Sequence, residues 1–306
     1  MDGFAGKLAA VTGGGSGMGR ELVRQLAAQG CSVAACDWNA SAVADTVALA
    51  QAGAPDGVRV SGHACDVSDE AQVQQFRDEL LREHAADHVD LVFSNAGIGG
   101  GASFITSSRD EWERTFAVDW WGTYYCARTF LPLLIASGDG VLVNTSSVNG
   151  FWASLGPRMP NSAYATAKFA VKGFTEALIE DLRTNAPQVR VALVMPGHVG
   201  TDILANTRRA HGTPEPEDVR AARMETAFRE KGLTAAAAAT IILDGVRSGA
   251  WRILVGEDAK ALDAAVRAKP EAAYDYAKLA MEAAKTAVEA RARSWSAAIR
   301  SLLPRD

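Results

Sequence analysis

Residues 7–28 read KLAAVTGGGSGMGRELVRQLAA, in which an apolar run, a glycine-rich turn and a helical run follow one another directly. Glycines let the backbone turn sharply and approach a pyrophosphate, whose charge is stabilised by the N–H groups and positive dipole end of a helix. Such a turn between a first strand and a first helix predicts a dinucleotide site, and an ordinary flexible turn is the alternative. The turn residues expected at the cofactor are Thr12, Gly13, Gly15, Ser16, Gly17, Met18 and Gly19.

The same alternation of short apolar and longer amphipathic runs continues to about residue 195. Strands are predicted at 7–12, 32–37, 58–65, 91–95, 141–145 and 190–195, and helices near 18–29, 40–52, 69–84, 110–136 and 162–185. Repeated βα units close into a parallel sheet with helices on both faces. The sequence therefore predicts an α/β fold, a three-layer, Rossmann-type doubly wound parallel sheet in a single domain over residues 1–256.

After the sixth strand the pattern changes. A loop-like stretch and a helix around 217–231 indicate a substrate lid over about 198–231, and a helix at 234–247 with a strand at 251–255 closes the domain. Residues 257–306 are rich in Ala, Lys and Glu and predict a helical C-terminal extension. Because alanine buries little area, we expect the extension to dock on the lid or on a neighbouring subunit, with a disordered appendage as the alternative. Its expected anchors are Tyr274, Tyr276, Leu279, Trp295, Ile299, Leu302 and Leu303.

The composition is that of a globular protein, because 48% of the 306 residues are hydrophobic and 22% are charged. A net charge of −5 offers no basic surface for nucleic acid, and no apolar run reaches the ~18 residues that a membrane-spanning helix needs. The start of the sequence lacks a signal-peptide pattern, so a cytoplasmic protein is expected. The cysteines have no metal-ligand or disulfide spacing, so no metal site is expected and free buried thiols are predicted at Cys31, Cys36, Cys65 and Cys126.

Asp37 ends the second predicted strand, twenty residues after Gly17. A carboxylate at this place accepts hydrogen bonds from the adenosine ribose and repels the 2′-phosphate of NADP. No basic residue stands at Gly14, Gly15 or Trp38 to neutralise that phosphate. NAD is therefore the expected cofactor, and an Asp37 that only caps the next helix is the alternative.

Tyr164 and Lys168 are four residues apart on a predicted helix, so a phenol and an ammonium share one face. Ser147 follows the fifth predicted strand, at the carboxyl edge where ligands bind in open α/β sheets. The sequences SNAG at 94–97 and PGHVGT at 196–201 accompany them. With these motifs in this order, the sequence resembles the short-chain dehydrogenase/reductase family over roughly residues 5–256, in the compact branch with a TGxxxGxG turn and a YxxxK pair.

The resemblance implies a catalytic role for three of these residues. Tyr164 would be the acid/base, Lys168 would lower the pKa of Tyr164 and hold the nicotinamide ribose, and Ser147 would bind the substrate oxygen. The implied activity is an NAD-dependent interconversion of a secondary alcohol and a ketone, in a homodimer or homotetramer that pairs through the helices at 110–136 and 162–185. The resemblance also places at the cofactor Trp38, Asp66, Val67, Asn95, Ala96, Gly97, Pro196, Gly197, Val199 and Thr201.

Asp119 departs from the family pattern, because VDWWG at 118–122 stands where the family usually has VNxxG. The family's Asn completes a tetrad with Ser, Tyr and Lys. Asp119 is expected either to take a catalytic part, by organising a water or pairing with Lys168, or to be a benign polar substitution. It also supports the rival hypothesis of an impaired NAD-binding regulatory or scaffolding protein, and a non-redox epimerase or dehydratase is a further alternative.

The segment between Ser147 and Tyr164 is about four residues longer than the family's common spacing. Its apolar side chains predict a pocket for a bulky hydrophobic alcohol or ketone, and aromatic packing between loops or subunits is the alternative. The expected substrate-binding residues are Ser147, Phe151, Trp152, Leu155, Met159 and Tyr164.

Overall fold

The computed structural model describes residues 3–156, 158–213, 219–276, 278 and 281. Its central sheet has seven parallel strands. Along the described residues the strands are β1 (Leu8–Thr12), β2 (Ser32–Asp37), β3 (Val60–Ala64), β4 (Leu91–Ser94), β5 (Gly140–Thr145), β6 (Val189–Pro196), β7 (Val199–Gly200), β8 (Leu233–Thr234) and β9 (Arg252–Val255). The sheet order is β3-β2-β1-β4-β5-β6-β9, so the winding direction reverses between β1 and β4. Ligands of open α/β sheets bind at such a switch point, outside the carboxyl ends of the strands.

Helices cover both faces of the sheet. Within the described ranges they are α1 (Gly17–Ala28), α2 (Ala40–Ala52), α3 (Glu70–His84), α4 (Arg109–Phe116), α5 (Gly122–Ala136), α6 (Ser162–Asn185), α7 (Ile203–Ala210), α8 (Val219–Lys231), α9 (Ala235–Arg247) and α10 (Glu257–Ala268). None of these helices combines the length and the apolar character that a membrane-spanning helix needs.

Two hydrophobic cores lie on opposite faces of the sheet. Ala9 and Val11 of β1 point to the core formed with α1, α2 and α9, whereas Leu8 and Ala10 point to the core formed with α3, α5 and α6. Because strand side chains alternate between faces, a strand that is buried on both sides carries a continuous apolar run. The predicted three-layer, doubly wound parallel sheet is confirmed.

The single helix predicted over 110–136 is instead two helices joined by a π-helical turn. The chain passes from α4 to α5 through Ala117–Trp121, and Asp119 is buried within this turn. Four of the five residues in this turn are apolar, so the sequence does not show where the extra residue lies, and such turns occur frequently at functional sites.

The segment that follows β6 is more ordered than the loop-like stretch that the sequence predicts. Helix α7 is only eight residues long and none of its residues is buried, so its sequence is too short for a helix to be predicted from its apolar spacing alone. The strands β7 and β8 are two residues long and pair in parallel, which is too short for a recognisable pattern.

The C-terminal part of the described chain begins with α10 and continues through a 3₁₀ turn at Pro270–Ala272. Tyr274 and Tyr276 are described. Five of the expected anchors of the extension lie outside the described residues, namely Leu279, Trp295, Ile299, Leu302 and Leu303.

Candidate active site

The residues proposed for the cofactor turn lie where β1 meets α1. Ser16 is the N-cap of α1, and its side chain makes no capping hydrogen bond to the helix. The first N–H groups of a helix have no partner inside the helix, so this end of α1 can accept an anion. Gly17 has a φ of +52°, and a Cβ there would lie 3.0 Å from Cγ2 of Thr201. Both the turn and its close neighbour therefore require glycine.

Thr12 and Asn95 brace this turn from behind. The Thr12 hydroxyl accepts hydrogen bonds from the backbone N–H of Asn95, at 3.0 Å, and of Ala96, at 3.1 Å. The Asn95 amide donates to the backbone oxygen of Thr12 at 3.1 Å. The ends of β1 and β4 are thus linked at the switch point.

Asp37 lies beside the turn, as predicted from its spacing. Its carboxylate accepts the backbone N–H of Gly15, at 2.9 Å, and of Asn39, at 3.0 Å. Burial raises the pKa of Asp37, although these two donors and the nearby Arg20 act in the opposite direction. Arg20 is a site residue that was not predicted from the sequence; its guanidinium donates to the Gly15 oxygen at 2.6 Å and to the Thr46 hydroxyl at 3.0 Å.

Asp66 lies after β3 and is held by a second arginine that sequence reasoning missed. Arg114 of α4 donates to its carboxylate at 2.8 Å, and Ser68 donates through its hydroxyl at 2.7 Å. Burial raises the pKa of Asp66, but the hydrogen bonds from Ser68 and Arg114 outweigh it and leave the pKa below its usual value. The neighbouring Val67 is buried, whereas Trp38 is 46% exposed.

Ser147, Tyr164 and Lys168 form one cluster at the carboxyl end of β5. The Ser147 side chain is close enough to Tyr164 to lower the pKa of its phenol, and Nζ of Lys168 lies 5.4 Å from the centre of the Tyr164 ring. Lys168 is buried and donates to the backbone oxygen of Thr145 at 3.2 Å. The tyrosine and lysine face each other because both are on α6, one turn apart.

Asp119 completes this cluster from the π-helical turn. Its Oδ1 lies 3.2 Å from Nζ of Lys168 and accepts the backbone N–H of Ile98 at 3.1 Å. Its Oδ2 is buried and has no hydrogen-bond partner among the described residues. A Cβ at Gly97 would lie 2.7 Å from Oδ1 and 3.2 Å from Nζ of Lys168, so only glycine fits against this ion pair.

The charges in the cluster oppose one another. Burial raises the pKa of Asp119 to about 6, even though Lys168 favours its ionised form. Burial also raises the pKa of Tyr164, where Lys168 and Ser147 lower it and Asp119 raises it. The pKa of Lys168 is raised, because the attraction of Asp119 and Tyr164 outweighs the effect of burial.

The segment Pro196–Thr201 passes over the end of β6. Asp258, in the first turn of α10, accepts the backbone N–H of His198 at 2.6 Å, and the N–H of Gly197 donates to the oxygen of Val255 at 2.9 Å. The imidazole Nε2 of His198 donates to the oxygen of Phe228 at 2.8 Å. Asp258 was not singled out from the sequence, since it follows this segment by about sixty residues.

Helix α7 crosses the mouth of the site. The amide of Asn206 donates to the Ser16 hydroxyl at 3.0 Å, and the Thr207 hydroxyl accepts the N–H of Gly99 at 2.7 Å. The imidazole Nε2 of His211 donates to the oxygen of Gly99 at 3.2 Å. This segment, the lid of the sequence analysis, is therefore bound both to the cofactor turn and to the loop after β4.

The long segment 148–161, hereafter the substrate loop, follows Ser147 and ends where α6 begins. Phe151 and Trp152 are half-buried, whereas Leu155 and Met159 are 51% and 49% exposed. Asn149 donates its backbone N–H to the Ser147 hydroxyl at 3.1 Å. The loop is thus coupled to the reactive cluster at its first turn, and the two most exposed apolar residues lie further along it.

At the carboxyl edge of the sheet lie the start of α1, which suits a phosphate, and the cluster of Asp119, Tyr164 and Lys168. In the described part of the chain, no three His, Cys, Asp or Glu side chains lie close enough together to hold a metal ion. The arrangement can bind a dinucleotide and exchange a proton with a substrate oxygen.

Comparisons with known proteins agree with this chemistry. The model of a family described as short chain dehydrogenase matches residues 7–212. SadH of Mycobacterium tuberculosis, whose name describes an oxidoreductase, is 36% identical over 267 residues, which are 87% of this chain and 92% of SadH.

Two solved structures show a similar fold. A short-chain dehydrogenase/reductase from Burkholderia phymatum, crystallised in complex with NAD, has a TM-score of 0.77 and 32% identity, over 89% of this chain and 95% of that chain. A metagenomic short-chain oxidoreductase in complex with NADP has a TM-score of 0.56 and 30% identity, over 63% of this chain and 83% of that chain. Relatives with either cofactor are thus similar to this chain.

Proposed function

This chain belongs to the short-chain dehydrogenase family, and from that premise we propose that it is an NAD-dependent oxidoreductase that interconverts a secondary alcohol and a ketone. The observation that carries the proposal is the cluster of Ser147, Tyr164 and Lys168 beside the uncapped start of α1. This arrangement provides both the groups needed for proton transfer and a binding site for the phosphate of a dinucleotide.

The residues present fit NAD. The free N–H groups at the start of α1 suit the pyrophosphate, and the carboxylate of Asp37 suits the ribose hydroxyls of the adenosine. Lys168 is proposed to hold the ribose of the nicotinamide, as the family resemblance implies. When bound, NAD supplies the hydride acceptor, or as NADH the donor, at C4 of its nicotinamide. The family resemblance adds to this set Trp38, Asp66, Val67, Ala96, Gly97, Pro196, Gly197, Val199 and Thr201.

NAD is favoured over NADP by the charge around Asp37. A 2′-phosphate would lie against its carboxylate, and the nearby Arg20 has two of its donors committed to Gly15 and Thr46. The carboxylate therefore remains the group that a 2′-phosphate would meet.

In the oxidation direction, the Ser147 hydroxyl donates a hydrogen bond to the substrate oxygen and Tyr164 takes the alcohol proton. The hydride leaves the carbon that carries the alcohol oxygen, so the carbonyl forms as the O–H and C–H bonds break. A phenol with a pKa near 10 ionises near neutrality only if the phenolate gains roughly 4 kcal/mol of stabilisation. Lys168 acts in this direction, against burial and against the charge of Asp119.

The substrate is proposed to be bulky and hydrophobic. Phe151 and Trp152 of the substrate loop are half-buried close to the turn that holds Ser147. Aromatic and aliphatic walls with a few polar groups are typical of small-molecule pockets.

The decisive experiment is NADH formation from secondary alcohols of graded size, with wild-type protein and Tyr164→Phe. Removing the phenolic hydroxyl is expected to lower kcat at least ~10²-fold while the Kd of NAD changes by no more than a few-fold. Tyr125→Phe on α5 serves as the matched control and should keep full activity. Wild-type protein that binds NAD but oxidises no alcohol would instead favour the regulatory or scaffolding alternative.

A further inference from the structure

The chain continues well beyond the residues that the family model matches, and the described end of it returns to the active site. Residues 270–276, hereafter the strap, lie against the substrate loop. The sequence predicts that the extension docks on the lid or on a neighbouring subunit. Tyr274 and Tyr276 contact the substrate loop of the same chain instead.

The contacts join consecutive residues of the loop to the strap. The indole N–H of Trp152 donates to the oxygen of Ala273 at 2.7 Å, and the backbone N–H of Ala153 donates to the Tyr274 hydroxyl at 3.2 Å. Ser154 and Tyr276 share a hydrogen bond between their hydroxyls at 3.0 Å. The rings of Trp152 and Tyr276 also meet edge to face, with centroids 6.4 Å apart.

The strap leaves a helix that is fixed to the sheet. Arg252 of β9 forms two hydrogen bonds to Asp263 of α10, at 2.8 and 2.5 Å, and both side chains are nearly buried. The same guanidinium lies over the Phe151 ring, 5.8 Å from its centre. Arg252, which α10 holds through Asp263, therefore contacts the substrate loop at Phe151, and the same helix leads into the strap.

The loop transmits these contacts to the reactive cluster. The Asn149 amide donates to the oxygen of Trp152 at 2.9 Å and to that of Ser154 at 2.7 Å. The backbone N–H of Asn149 also donates to the Ser147 hydroxyl. Hydrogen bonds thus run from Tyr276 through Ser154 and Asn149 to Ser147.

An irregular loop loses conformational entropy at every residue that is held in one shape. The segment 151–156 contains no helix or strand. Contacts from outside the loop must therefore offset much of this cost, and the strap supplies them to three consecutive residues.

We propose that the strap, residues 270–276, is a specificity element that holds Trp152 and the substrate loop in place and so sets the size of alcohol that the pocket accepts. Tyr274 and Tyr276 are positioning residues in this scheme, because they act through the loop. The specificity role rests on the proposed function, whereas the positioning role does not.

The test uses the full-length protein with both strap hydroxyls removed, Tyr274→Phe/Tyr276→Phe, and Tyr125→Phe as the matched control. Hydrogen–deuterium exchange is measured on peptides that cover 151–156 and, as an internal reference, on peptides of α6. The double variant is expected to exchange at least threefold faster in 151–156 and at the wild-type rate in α6. Unchanged exchange in 151–156 would overturn the proposal.

The kinetic arm compares 2-butanol as a small alcohol with 1-phenylethanol as a large one. In the double variant, KM for 1-phenylethanol is expected to rise at least threefold more than KM for 2-butanol, with the Kd of NAD unchanged. An equal rise for both alcohols would overturn the specificity role. Absence of turnover with either alcohol in the wild type would contradict the proposed function, and the exchange result would then decide the positioning role alone.

Discussion

The buried ion pair of Asp119 and Lys168 is the side-chain arrangement with the largest consequence for the chemistry. Two charges removed from water stabilise one another only partly, and the second oxygen of Asp119 has no hydrogen-bond partner among the described residues. The aspartate also offsets the positive charge that would favour the Tyr164 phenolate. A neutral group of the same shape should therefore improve proton transfer.

Asp119→Asn is expected to keep or raise kcat for alcohol oxidation and to move the rising limb of its pH profile to lower pH. The reason is that the amide removes the negative charge that raises the pKa of Tyr164. Asp119→Ala should lower kcat without unfolding the protein, because Lys168 loses its partner. Steady-state kinetics from pH 5 to 10 and a thermal melt measure both effects, and identical profiles for all three proteins would support a benign substitution.

Asp37 is expected to set the choice of cofactor. Wild-type protein should bind NAD at least tenfold more tightly than NADP, a difference of about 1.4 kcal/mol or more. Asp37→Ser should narrow this ratio at least tenfold, because the carboxylate that repels the 2′-phosphate is gone. Titration with both cofactors measures the ratio of their dissociation constants, and Asp45→Ser on the exposed side of α2 serves as the control. If the wild type bound NADP as tightly as NAD or more tightly, the assignment of NAD as the cofactor would be wrong.

Among the secondary-structure elements, the edge strand β3 and helix α3 are joined by an imidazole pair. The Ser61 hydroxyl lies 2.9 Å from Nε2 of both His63 and His84, and Nδ1 of His63 lies 3.0 Å from Glu79. Burial, followed by the charges of Arg59 and His63, lowers the pKa of His84 from 6.5 to about 4. The folded protein therefore favours neutral His84.

This pair is expected to make stability fall as the pH decreases from about 6.5 to about 4. Between these pH values the unfolded chain binds a proton at His84 and the folded chain does not, so unfolding becomes more favourable as the pH falls. Urea midpoints measured at pH 7.5 and at pH 5 should show that His84→Gln loses less stability at the lower pH than the wild type does. His88, whose side chain is 43% exposed, provides the control, because His88→Gln should lose as much stability as the wild type. Equal losses of stability in the wild type and both variants would show that His84 does not cause the pH dependence.

For the assembled protein, an aromatic face formed by the π-helical turn, α5 and α6 is the surface proposed to pair two copies. Trp120 packs edge-on against Phe174 with ring centres 5.5 Å apart, and Trp121 stacks on Tyr125 at 5.9 Å. Trp121 and Phe169 are each 41% exposed in the single chain. Aromatic side chains are enriched in protein interfaces, and the family resemblance points to the same two helices.

Light scattering is expected to give a dimer or tetramer at micromolar concentration, and Trp121→Asp should lower the mass because a charge would be buried at the interface. Leu49→Asp, which changes an equally exposed residue on α2, should leave the mass unchanged. A monomeric wild-type protein would contradict the proposed assembly.

Local patterns were enough to predict the strands of the seven-stranded sheet, the glycine-rich turn after β1 and the placement of Tyr164 and Lys168 on one face of a helix. Continuous apolar runs follow from burial on both faces of a parallel sheet, and residues four apart meet on one helix wherever that helix lies. Gly17 has a positive φ of +52°, and this requirement for glycine arises within the turn itself. These features depend on neighbours within one or two elements, so the fold class and the family were readable before any packing was known.

Packing alone decided the contacts between distant parts of the chain. Arg114 reaches Asp66, Asp258 holds the N–H of His198, and the strap meets the substrate loop about 120 residues earlier in the sequence. The π-helical turn brings Asp119 to Lys168, and its mostly apolar residues give no local sign of the extra residue. Such pairings depend on where the elements settle on the sheet, and no spacing within a single element encodes that position.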